Sequence, residues 1–174
     1  MFVAVLAAGC GSTRSATETV TVAALPTAAA PPADQTLYGK PTSVQLDRGR
    51  TLLHFDPAFL ASGITANAAY AAAEGRTCRP LACPPVPNDY FTVDQAHEDL
   101  VFVLPAKAFG TVLAQRGGLN GAVPPATRID GAQLATIVSE GKAPGITLFE
   151  PLDSGLWLHL HGDTIRSFAQ QYRP

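Results

Sequence analysis

The chain has 174 residues, with 12 Lys plus Arg against 14 Asp plus Glu and a formal net charge of -2. Only 15% of the residues are charged, so no basic stripe is available for a phosphate backbone and nucleic-acid binding is not expected. The 47% hydrophobic content suits one modest core, much of it Ala, and no window reaches the roughly 18 to 20 unbroken apolar residues of a spanning helix.

Residues 1–9 read MFVAVLAAG, apolar and small, and run into Cys10, after which the chain turns polar. This reads as the tail of an export signal. The stretch Leu6-Ala7-Ala8-Gly9-Cys10 resembles the lipobox of bacterial lipoprotein signal peptides. The resemblance implies cleavage before Cys10, a thioether-linked diacylglyceride on its thiol, and membrane attachment through two or three acyl chains, because one chain binds only marginally. No Lys or Arg precedes Cys10, so the charged start of such a signal is expected upstream of Met1. The other reading is an ordinary N-terminus with a free or buried thiol. Residues 10–36 are rich in Ala, Thr, Ser and Pro and hold hardly any large apolar side chain, which predicts a disordered tether. One folded domain is expected over residues 37–174.

In that domain, Tyr38–Leu46 and Arg50–Phe55 have strand character around the turn signal Asp47-Arg48-Gly49 and predict a hairpin, stopped by Asp56-Pro57 with Asp56 as a cap. Ser62 or Thr65 opens an Ala-rich helix through Ala73, with Gly75 at its stop. Cys78 and Cys83 follow in a Gly- and Pro-rich loop. An exported chain meets an oxidising environment, which favours a disulfide over free thiols or a metal pair lacking further ligands. Tyr90–Val93, Leu100–Leu104 and Phe109–Ala114 predict three more strands, and residues 115–127, with several Gly and Pro, predict a loop. Asp130 caps a second helix over Gly131–Glu140 with Leu134, Ile137 and Val138 on one face. Gly155–His161 alternates with period two, placing Leu156, Leu158 and Leu160 inward, and Gly162-Asp163 turns it back into Thr164–Gln170. The sum is an α+β domain with two helices on a small, strongly curved antiparallel sheet or open barrel, loosely OB-like.

Tyr38-Gly39, Phe55-Asp56-Pro57-Ala58, Val86-Pro87-Asn88-Asp89-Tyr90 and, above all, Leu148–Gly155 with Gln170-Gln171-Tyr172-Arg173-Pro174 resemble a family of exported lipoproteins of actinobacteria. The resemblance covers most of residues 38–174. It implies localisation at the cell membrane and one coherent domain, and it brings no catalytic residue and no cofactor.

Candidate chemistry therefore rests on individual residues. His159 and His161 lie two apart on a predicted strand, hence on one solvent-facing side, and two imidazoles in that relation can share a metal if Glu150, Asp153, Asp163, His97 or Asp94 adds a ligand. Solvated strand histidines explain the same pattern. Asn88 and Asp89 after Pro87 read as a turn with a possible ligand role, and Glu150 and Asp153 beside Trp157 as a small polar pocket or a capped loop. Asp94, His97, Glu98 and Asp99 form an acidic turn that can present a general acid or base. Arg166 and Arg173 are expected to pair with these acids. No GxSxG and no Gly-rich phosphate loop in a strand-to-helix context is present. The sequence thus favours a membrane-tethered, non-catalytic module that binds an envelope ligand or protein, with no cofactor; the alternative is a metal-assisted hydrolase using His159 and His161.

Overall fold

The hairpin expected at the start of the domain is the longest feature of the computed structural model, which describes residues 33–94, 98–116 and 125–172. Strands β1 (Asp34–Asp47) and β2 (Arg50–Ser62) pair antiparallel down to Asp47↔Arg50. Arg48 and Gly49 between them both have positive φ, 48° and 78°, the combination a two-residue hairpin turn requires. Two sequence expectations need correction. β1 begins at Asp34, inside the segment assigned to the tether, because Asp34–Thr36 pair with a C-terminal strand. Asp56-Pro57 neither stops β2 nor caps a turn: Pro57 lies between the stretch paired with one neighbour (Leu52–Phe55) and the stretch paired with another (Phe59–Ser62), where a missing N–H interrupts neither ladder.

Ser62 is the N-cap of α1 (Gly63–Ala73), and Gly75 follows its end with φ 67°. α1 sets Ala66 and Tyr70 against Ala61, Val86 and Phe91, a small cluster separate from the main core. The Cys78–Cys83 disulfide closes the loop that follows, with Cα atoms 5.3 Å apart. Strand β3 (Tyr90–Val93) then pairs with the end of β2, and β4 (Leu100–Val103) with its beginning.

Strand β5 (Phe109–Arg116) is followed by β6 (Ala126–Asp130), helix α2 (Gly131–Glu140) and the short β7 (Ile146–Leu148). β6 begins within the stretch read as a loop, and both β6 and β7 form on opposite ends of β5. α2 opens with reciprocal capping: the Gln133 amide donates to Asp130 Oδ1 at 2.8 Å, and the Asp130 amide donates to Gln133 Oε1 at 3.1 Å. Its face carrying Leu134 and Ile137 joins the main core, as the spacing predicts.

The C-terminal hairpin forms as expected, β8 (Leu156–His161) turning at Gly162-Asp163 into β9 (Thr164–Gln170). β1, β2, β4, β9 and β8 form a closed five-strand ring. Ring pairing is antiparallel except where β4 meets β9 in parallel at Val103↔Thr164, a seam reinforced by the Val103 amide donating to the Asp163 carbonyl at 2.8 Å. Counted among themselves the ring strands run 1-2-3-5-4, an OB-like order, with α2 in the connection from the third to the fourth. The fold is α+β. Leu53, Phe55, Phe102, Leu156, Leu158, Leu160, Ile165 and Phe168 fill the interior, each contributing about 1.5 to 3 kcal/mol by leaving water. Beyond the seam β9 continues parallel to β5, drawing β5, β6 and β7 onto the ring. That approach is close: a Cβ on Gly110 would lie 2.1 Å from the Phe168 carbonyl oxygen.

Candidate functional site

Cys10, residues 1–9 and most of the expected tether lie outside the described residues, as do His97, Gly117-Gly118 and Arg173. The acids flanking His97 are tied to β1: Lys40 Nζ lies 2.6 Å from Asp94, and the Thr42 hydroxyl donates to Asp99. They brace the connection from β3 to β4 against the ring.

Asn88 and Asp89 both adopt left-handed backbone, φ 63° and 61°, conformations that short polar side chains tolerate better than most. The turn they make aims the chain into β3. The preceding Val86 amide donates to Asn67 Oδ1 at 2.8 Å, tying the turn to α1.

Glu150, Asp153 and Trp157 surround a polar latch whose centre is Gln170, which the sequence marks only as part of the Gln170–Pro174 motif and not as a site residue. Gln170 is buried, and every polar atom of its amide is used. Its Nε2 donates to the Glu150 and Pro151 carbonyls and to Ser154 Oγ at 3.2, 3.1 and 3.0 Å, while its Oε1 accepts from the Leu113 amide at 2.8 Å. Glu150 thus enters through its backbone. Next to the latch the Tyr38 hydroxyl donates to the Ser154 carbonyl at 2.9 Å, the Tyr38 and Trp157 rings pack 5.0 Å apart, and Trp157 Nε1 donates to Gln171 Oε1 at 2.9 Å. Gly155 makes this possible: its φ of 113° suits glycine, and a Cβ there would lie 2.2 Å from the Tyr38 hydroxyl. The segments Leu148–Gly155 and Gln170-Gln171 therefore meet as one knot that locks the end of the ring.

His159 and His161 share the outer side of β8, as the alternation predicts, with the Leu row facing inward. Thr36 Oγ1 lies 3.0 Å from His159 Nδ1, and Asp34 Oδ1 lies 2.8 Å from His161 Nδ1. Glu150 and Asp153 precede the opposite end of β8 and are not brought to them. Among the described residues no group of three or more His, Cys, Asp or Glu side chains converges in a geometry suited to a metal ion.

What surrounds His159 instead is a trough along the outer side of β9. In register across three strands, large His159 faces small Ser167, which faces large Phe109. One row further, Ala169 sits low beside Thr111. The cleft so formed, about 340 Å³, has Arg128 on its far wall, the guanidinium 4.2 Å from the centre of the Phe109 ring. Two further clefts adjoin it, of about 410 Å³ beside Lys107 and Thr164 and of about 350 Å³ beside Asp34 and Thr36. Arg166 lines both. Opposite β8 it is the extra residue of a bulge, since His159 pairs with Ser167 while Leu160 pairs with Ile165, and bulges re-aim side chains in this way. The expected pairing of Arg166 with acids does not occur: among the described residues neither Arg166 nor Lys107 makes a hydrogen bond or ion pair.

No sequence signal marks this site. Its residues come from β1, β5, β6, β8 and β9 and meet only through tertiary register, and the bulge that turns Arg166 outward has no marker in Thr164–Gln170. No protein-family model matches the chain, and neither a curated protein nor a solved structure matches it.

Proposed function

We propose that the chain is a lipid-anchored extracytoplasmic module of the actinobacterial envelope-lipoprotein type, held by Cys10 and acting as a non-catalytic binding protein through the outer side of β8, β9 and β5. The observation that carries the binding reading is the row of adjoining clefts along β9, about 340 to 410 Å³ each, rimmed by cations that no acid of the described fold neutralises at Lys107 and Arg166. The lipobox-like Leu6–Cys10 supports the anchor. The Cys78–Cys83 disulfide agrees with an oxidising compartment. The N-terminal β1 starts beside the trough, since Asp34 and Thr36 line its third cleft.

Cosedimentation of the full chain carrying Cys10→Ala, which takes no lipid, with lipid-extracted envelope material of the producing cell tests the binding. This chain should pellet with that material, and adding Ser167→Trp, which fills the floor of the trough, should leave it in the supernatant with an unchanged melting temperature. Equal partitioning of the two proteins would remove the site. A Cys10→Ala chain should leave the membrane fraction, and retention there would remove the anchor.

A further inference from the structure

We infer that the trough takes an acidic oligosaccharide, a short run of sugar units bearing carboxylate groups; this deepens the binding reading and rests on it. Charge is the first argument. Lys107, Arg128 and Arg166 line the three clefts against a single lining acid, Asp34, whose carboxylate lies 2.8 Å from His161 Nδ1. An anion entering between Lys107 and Arg166 meets two cations that form no ion pair within the described residues. Arg128, its guanidinium 4.2 Å from the centre of the Phe109 ring, adds positive charge to the far wall.

Shape and hydroxyls are the second argument. From Thr36 on β1 through His159 and Ser167 to Phe109 the register row spans three inter-strand spacings, about 14 Å, so the site is long and shallow rather than a deep pocket. The Thr111 and Ser167 hydroxyls line it and have no hydrogen-bond partner among the described residues. A hydroxyl-rich chain can pair with these groups along its length, whereas a compact apolar ligand would leave them and the cations unsatisfied. Phe109, 50% exposed, adds an apolar edge against which the face of a sugar ring can rest.

The test is calorimetric titration of the full chain with oligogalacturonate, a carboxylated oligosaccharide, alongside neutral maltotetraose, inorganic phosphate and vesicles of anionic phospholipid. Oligogalacturonate should bind, and raising the salt should weaken it. Lys107→Ala and Arg166→Ala, both at exposed positions, should each weaken binding by about tenfold, as for one charge-assisted hydrogen bond. Equal binding of maltotetraose would overturn the role of charge. Binding of phosphate or vesicles without oligogalacturonate would overturn the saccharide. Oligogalacturonate binding that ignores both variants would overturn the location. If oligogalacturonate fails while the Cys10→Ala chain still pellets with lipid-extracted envelope material and its Ser167→Trp form does not, the ligand class is wrong and the binding module stands; if both fail, the module reading falls as well.

Discussion

The ring and the α1 lobe are stabilised by opposite means. The ring buries a continuous set of large side chains, Phe55, Phe168, Leu53, Leu156, Leu158 and Leu160 among them, and completes its end with the fully bonded Gln170 amide. The lobe of α1, β3 and the cysteine loop buries small side chains, Ala61, Ala66, Ala71, Cys83 and Val86, with parts of Tyr70 and Phe91, and leaves Phe59, Ile64 and Leu81 facing water at 62%, 50% and 86%. A cluster of that size offsets little chain entropy, and the disulfide constrains the segment that packing alone holds weakly. Where a core can be built the chain builds one; where the elements are too small, a covalent bond does the work of missing apolar area.

Leu158→Ala should break the ring half of this contrast most severely. Its side chain is wholly buried, so a loss of about 2 to 5 kcal/mol is expected in urea unfolding followed by Trp157 fluorescence. A loss below about 1 kcal/mol would mean that the ring interior is not the main core. Gln170→Ala comes next at about 1 to 3 kcal/mol, because it strands the Leu113 amide in a buried site; calorimetry should show it, and a neutral result would demote the latch to decoration.

The paired Cys78→Ser, Cys83→Ser change should cost about 2 kcal/mol and act locally. Hydrogen exchange should quicken across residues 63–93 while β8 and β9 keep their protection. Equal acceleration in both places would show that ring and lobe open as one unit, and the contrast would dissolve. The smallest effect is expected from Asp130→Ala, about 1 kcal/mol through the lost cap of α2, with Asp130→Asn close to wild type. If Asn also costs that much, the negative charge rather than the hydrogen bond matters there.

Sequence alone reveals the parts of this fold that announce themselves locally. Both hairpins carry turn residues between alternating strands, and α2 carries its cap and its Leu134–Ile137 face, so each was legible. β6 and β7 were not. Ala126–Asp130 buries one residue, Ile129, and Ile146–Leu148 is three residues long after Pro144-Gly145; both are strands because β5 offers them edges. Pro57 misled for the related reason that its tolerance depends on which neighbours border β2. The disulfide was readable from spacing and compartment. The trough was not, since of its residues only His159 and Arg166 stand out in the sequence, the one for a metal and the other for a structural ion pair. Gln170 and Arg166 sit on one strand, and a single bulge decides that one enters the ring and the other faces the solvent.

The seam between β4 and β9 also governs how the chain can reach this state. Asp34 meets His161 across 127 positions and Thr36 meets His159 across 123, so the contacts that shut the ring are among the most distant the chain makes. Topologies of this kind fold slowly, because loop closure must precede any return from pairing. A chain emerging from its N-terminus has its first hairpin and β4 early but lacks the second wall of the seam until Thr164–Gln170 arrives. The ring interior, with its Leu and Phe side chains, stays open to solvent through that interval, and completion of β9 is the event that converts an adhesive half-barrel into a closed surface.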